Sequence, residues 1–196
     1  MTFIYLGLIF AAFMAILFYF PELSLLLEKR KLEGSANRVM IEEVTRAVRI
    51  LSKKKISAFL ILKRKDDLLS LIKSGEEVNK KISAPLLIEY FFLGSKGKGK
   101  AVLENGILRA VNARVSLGKK LLKNSRKSLD KLKASYLTKK SDAIAVLINE
   151  KGTISLAYRG NITPRVSHGK VENVLLRFFE RGGRILRERK IIVNRI

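Results

Sequence analysis

The stretch Ala143-Ile144-Ala145-Val146-Leu147-Ile148-Asn149, followed by Glu150-Lys151-Gly152 and then Thr153-Ile154-Ser155-Leu156-Ala157-Tyr158, decides the fold. A short, wholly apolar run bounded by turn residues reads as a strand buried on both faces, with Lys151-Gly152 turning the chain into a second strand. A strand covered on both sides needs helices on both sides. Working outward, Ile56 to Leu62 repeats the pattern between two basic triplets, Lys53-Lys54-Lys55 and Lys63-Arg64-Lys65. It reads as a second buried strand. Asn105-Gly106 separates Ala101–Glu104 from Ile107–Val115 and is the strongest two-residue hairpin signal.

Helices alternate with these strands. Gly34 reads as a break, after which Ser35 or Asn37 can cap a helix whose Ile41, Val44, Val48 and Leu51 share one stripe. Asp66-Asp67 and Gly75 bracket a short helix over Leu68–Ser74, and further helices are expected over Ala84–Phe92, Ser128–Tyr136 and Val171–Phe179. Gly182-Gly183 ends the last of these, before a basic tail from Arg184 to Ile196. Hairpins and crossovers together give an α/β class with a mixed central sheet flanked by helices.

The N-terminus is of another kind. Phe3 to Phe20 is uncharged and mostly apolar, and Glu22 is the first charge. Eighteen helical residues reach about 27 Å, close to a bilayer's hydrocarbon core. Nothing basic precedes the run and no A-x-A site follows it, so an uncleaved anchor is expected over 1–28 and a folded domain over 29–196. Lys29, Arg30 and Lys31 follow the run, which puts that domain in the cytoplasm of a single-pass protein of the cell membrane. A buried core helix is the competing reading.

The chain carries 40 Lys+Arg against 17 Asp+Glu, a net +23; Glu22 and Glu28 are the only charges before Lys29, so the remainder carries +25. Such charge attracts phosphate on lipid, nucleic acid or nucleotide without choosing among them. Without Cys there is neither a disulfide framework nor a thiolate metal site. No Walker A, G-x-G-x-x-G or H-E-x-x-H pattern occurs. His168, the only histidine, reads as a solvated loop residue. Gly97-Lys98-Gly99-Lys100 suits a phosphate, since glycine admits close backbone approach and lysine supplies charge. Taken alone, those residues read first as a solvated loop. Glu150, at a strand end, is a candidate metal ligand, although acids there are commonly just solvated.

The order of segments resembles the membrane-anchored diadenylate cyclases over roughly Met40 to Phe179. Ser57-Ala58-Phe59-Leu60-Ile61 stands where that family has Gly-Ala-Leu-Ile-Val. Gly75 and Ser83-Ala84-Pro85-Leu86-Leu87-Ile88 through Phe91-Phe92 are similar to its Leu-rich helix. Ile148-Asn149-Glu150-Lys151-Gly152-Thr153-Ile154-Ser155, preceded by Asp142, is similar to its Ser-Glu-Glu-Arg-Gly-x-Ile-Ser segment. The resemblance implies a cleft for ATP with Mg²⁺ or Mn²⁺, and two domains face to face, each presenting one ATP.

Both signature motifs depart from that pattern. The family's Asp-Gly-Ala, whose carboxylate holds the metal, falls on Gly99-Lys100-Ala101. Its Gly-Thr-Arg-His-Arg, which grips the triphosphate, falls on Ser128-Leu129-Asp130-Lys131-Leu132. Phosphoryl transfer rests on positioning and electrostatics, and one lost donor costs about 10²- to 10³-fold. The expectation is therefore a membrane-anchored pseudoenzyme that binds a phosphate-bearing ligand or partner, with Lys98, Gly99, Lys100, Lys131 and Lys133 lining the former nucleotide cleft. The alternatives are an active diadenylate cyclase with a rearranged site and a basic nucleic-acid-binding module, the latter weakened by the lack of Trp.

Overall fold

A computed structural model describes residues 32, 34–94, 99–117 and 128–180. The chain divides into two compact units, Met1–Ala36 and Asn37–Ile196. The apolar N-terminal run, Lys98 and the basic tail lie outside the described residues. No helix among those described is long and apolar enough to cross a membrane.

The elements run α1 (34–53), β1 (Ala58–Leu62), α2 (Leu69–Lys73), β2 (Glu76–Lys81), α3 (Ala84–Glu89), a π-helical turn (Tyr90–Gly94), β3 (Lys100–Glu104) and β4 (Ile107–Val111). They continue through α4 (Leu129–Lys140), β5 (Ile144–Ile148), β6 (Ile154–Tyr158), β7 (Asn161–Thr163) and α5 (Val171–Glu180). The strands form one mixed sheet of order β2-β4-β3-β1-β5-β6-β7. Among the described residues only β1 and β3 pair in parallel; the other five pairings are antiparallel.

The period of two sorts the core into halves. Ala58, Leu60 and Leu62 of β1, with Ile144, Val146 and Ile148 of β5, pack under α1, α3 and α5 through Val44, Val48, Leu51, Leu87 and Leu175. Phe59 and Ile61, with Ala145 and Leu147, face α2 and α4 through Leu71, Ile72 and Ala134. The layers are helix, sheet, helix, as the two apolar strands require.

Local chemistry sets the joints. Asn105 and Gly106 both have positive φ, 47° and 77°, the backbone of a type I′ hairpin turn. Ser83 accepts the Leu86 N–H at 3.3 Å and Pro85 follows, so α3 starts where the chain offers a cap and a pre-set φ. The Asp67 carboxylate accepts the Leu69 N–H at 2.9 Å at the start of α2.

Several expectations are corrected. Gly34 does not break the helix: glycine costs only about 1 kcal/mol in a helix interior, and residues 32 and 34–53 are helical. Ser35 is therefore no N-cap; its hydroxyl donates to the Leu32 carbonyl at 2.8 Å. The strand expected to reach Val115 stops at Val111, because Asn112 turns the chain with φ 55°. The helix over Ala84–Phe92 is α only to Glu89. The edge strands β2 and β7 were not expected. His168 is exposed in its loop, but its Nε2 lies 2.9 Å from the Ser52 hydroxyl, which also donates to the Gly152 carbonyl.

Candidate functional site: a basic cleft at one end of the sheet

Strand register brings four residues into one row across the sheet. Phe59 sits opposite Lys100 on one side and Leu147 on the other, and Leu147 sits opposite Ser155. Phe59 and Leu147 belong to the core half facing α4. A cavity of about 290 Å³ opens at this end of the sheet. Its floor comes from Ser57 just before β1, Phe59 of β1 and Leu147 of β5, and one wall from Gly99, just before β3. The opening turn of α4 supplies Ser128, Asp130 and Lys131, and the β5–β6 turn supplies Asn149, Glu150 and Lys151. The three stretches singled out by the sequence, around Gly99, Asp130 and Glu150, thus meet in one cavity.

The β5–β6 turn is shaped by its own side chain. Asn149 Oδ1 accepts the N–H groups of Lys151 at 3.1 Å and Thr153 at 2.8 Å. Gly152 follows with φ 77°, where a Cβ would overlap the backbone carbonyl of Ser52 at the end of α1. Only glycine fits both demands. Glu150 is thereby held, exposed, at the cavity rim.

Lys100 dominates the electrostatics. Its side chain is only 12% exposed, its Nζ lies 5.5 Å from the Phe59 ring centroid, and it reaches Asp130 Oδ1 at 4.0 Å. Burial pushes the ammonium's pKa down from the usual lysine value, nearby Lys133 lowers it further, and Asp130 partly offsets both. Asp130 also stands in the first turn of α4, where a carboxylate complements the helix dipole. Ser128 makes no side-chain cap there.

Of the sequence candidates, Gly99, Lys131 and Glu150 line the cavity. Lys100 borders it through Phe59 and Asp130, Lys133 acts on Lys100, and Lys98 lies outside the described residues. Ser57, Phe59, Asn149 and Thr153 also line the cavity and were not singled out as site residues. The Asn149 turn could have been found from its Asx-turn chemistry. Among the described residues no three His, Asp or Glu side chains come together to hold a metal. Asp142 belongs elsewhere: it precedes the opposite end of β5, accepts the Lys65 N–H at 3.2 Å and the Asp66 N–H at 3.1 Å, and pairs with Arg64 at 3.6 Å.

Residues 45–162 match the family model described as DAC, DisA bacterial checkpoint controller nucleotide-binding. The chain is 24% identical over 151 residues to cyclic di-AMP synthase CdaA of Bacillus subtilis, covering 76% of this chain and 55% of that one. It is 32% identical over 120 residues to diadenylate cyclase CdaS of Bacillus thuringiensis, covering 60% and 59%. It therefore spans little more than half the length of these relatives. The fold is similar to the crystal structure of a double mutant of DacA from Staphylococcus aureus, with TM-score 0.64, 24% identity and coverage of 78% of this chain and 98% of that one. A hypothetical membrane spanning protein from Bacillus cereus gives TM-score 0.56 at 24% identity, covering 64% and 63%.

Proposed function

We infer the function from one premise: the chain belongs to the DAC family, DisA bacterial checkpoint controller nucleotide-binding, whose model it matches over residues 45–162. On that premise the cleft binds a nucleotide or another phosphate-bearing ligand but does not carry out cyclisation. The protein is a pseudoenzyme held at the cell membrane by residues 1–28, with its 29–196 domain in the cytoplasm.

One observation carries this reading. Beside the cavity-lining Gly99, where the family pattern implies a metal-holding carboxylate, stands a lysine ammonium, Lys100, paired with Asp130 of the cavity. Asp130 stands where that pattern implies an arginine. Two carboxylates, Asp130 and Glu150, line the described cavity, and Asp130 is engaged by Lys100. This donor set does not fit a divalent cation clamping a triphosphate, which commonly takes carboxylates together with the phosphates. What it suits is an anion held directly: Lys131 and Lys133 supply charge, and the buried Gly99 lets a phosphate approach the backbone.

The full chain should bind ATP, with affinity falling several-fold in Lys131→Ala, and should release no cyclic di-AMP in Mg²⁺ or Mn²⁺ above a no-protein control. Turnover would favour an active cyclase with a rearranged site; failure to bind ATP or inorganic phosphate would remove the cleft's proposed role. Membrane anchoring has its own check. Carbonate extraction should leave the full chain with the membranes, and its recovery in the soluble fraction would contradict the anchor.

A further inference from the structure

The π-helical turn Tyr90–Gly94 displays two large apolar side chains in succession, Phe92 at 58% and Leu93 at 67% exposure. The turn itself is firmly seated. Phe91 is fully buried and packs edge-on against Tyr90, with ring centroids 4.9 Å apart. The Tyr90 hydroxyl donates to Asn112 Oδ1 at 2.7 Å and accepts the Asn112 N–H at 3.0 Å. A seated turn that leaves its two tips in water maintains an apolar surface that its own fold does not use.

α1 closes at Lys53 and turns through Lys54 and Lys55, all three exposed, and Lys54 Nζ stands 5.6 Å from the Phe92 ring centroid. Glu89, also exposed, precedes the pair by one helical turn and only partly offsets the three cations. Exposed apolar tips with a lysine ammonium against one of them match the layering of an anionic bilayer surface, where acyl chains meet headgroup phosphates. A second copy docked through this same patch would set its exposed lysines against their own counterparts, which disfavours it as the occupant here. Leu93, being aliphatic, suits acyl chains better than stacked bases.

We propose that Phe92 and Leu93, with Lys54 beside the Phe92 ring and Lys53 and Lys55 flanking it in the chain, form a docking patch that inserts into an anionic lipid surface. It is independent of the cleft and of the N-terminal run. The triplet leads directly into Ser57, which lines the cavity, so docking brings the cleft beside the headgroups.

The chain has no Trp, so Phe92→Trp installs a single reporter at the patch. The full-length variant, with circular dichroism matching the parent, is combined with vesicles of phosphatidylcholine or of an equal mixture with phosphatidylglycerol. Tryptophan emission should shift to the blue, and brominated acyl chains should quench it, in the anionic mixture only. Adding Lys53→Gln, Lys54→Gln and Lys55→Gln should weaken the anionic-lipid titration about a hundredfold, since each lysine near such a surface contributes about fivefold. Leu69→Trp, made separately at an exposed position on α2 across the sheet, should not respond. Water-exposed emission in both vesicles would overturn the proposal. So would equal responses to both compositions, an equal response from Leu69→Trp, or a shift that grows with protein concentration in the absence of lipid.

Discussion

Lys100 on β3 and Asp130 on α4 meet at the cleft wall, Nζ to Oδ1 at 4.0 Å, with the lysine against the Phe59 ring and the carboxylate exposed. The buried member of this pair is the cation. A lysine with only 12% of its side chain in water loses hydration that one partner at 4.0 Å restores only in part. Such a group persists most naturally where it serves a ligand.

Lys100→Met should accordingly stabilise the fold while weakening phosphate binding. Burial and Lys133 lower the Lys100 pKa, so in the window just below the ordinary lysine value the unfolded chain binds more protons than the folded one. Stability from this group therefore rises with pH through that window and is lost as pH falls. The parent's disadvantage relative to Lys100→Met should be full at neutral pH and shrink toward pH 10. Denaturant melts of both proteins across that range check the sign.

Gly152→Ala should destabilise the domain by about 1–3 kcal/mol, combining a left-handed backbone with a clash against the Ser52 carbonyl. Because the same turn carries Lys151 into the cavity lining, anion affinity should fall as well. Urea unfolding and an isothermal phosphate titration separate the two effects.

Asp142→Ala should cost about 1–3 kcal/mol, since it removes the acceptor of the Lys65 and Asp66 N–H groups and one partner of the Arg64 guanidinium. Arg64 is only 7% exposed on its side chain; its guanidinium also donates to the Tyr158 hydroxyl at 2.8 Å and to the Phe179 carbonyl at 3.3 Å. The double variant Arg64→Met/Asp142→Ala should recover part of the loss. Since Asp142 stands at the far end of β5 from the cleft, ligand affinity of the folded fraction should be unchanged.

How much the sequence revealed followed how locally each feature is encoded. β1, β5 and β6 are legible because both their faces are apolar, and the β3–β4 hairpin because Asn105-Gly106 has one favoured turn. β2 is not: Glu76-Glu77-Val78-Asn79-Lys80-Lys81 is an exposed edge strand, with a bulge and a positive φ at Asn79, and it shows no apolar alternation. α4 is weakly written because Ala134 and Thr138 are its only buried residues. Of the cavity's lining, the Gly-Lys loop pointed to Gly99, motif register to Lys131 and the strand end to Glu150. The Lys100–Asp130 pair, the Phe59 floor and the Ser52–His168 contact join residues far apart in the chain, and no local pattern announces them.

The most direct measurement is to incubate the full chain with ATP and Mg²⁺ or Mn²⁺, following bound nucleotide and released cyclic di-AMP in the same reaction. ATP should bind, with Lys100→Met and Lys131→Ala both lowering the affinity, and no cyclic dinucleotide should form above the no-protein control. Sustained production of cyclic di-AMP by the unmodified chain would contradict the pseudoenzyme reading.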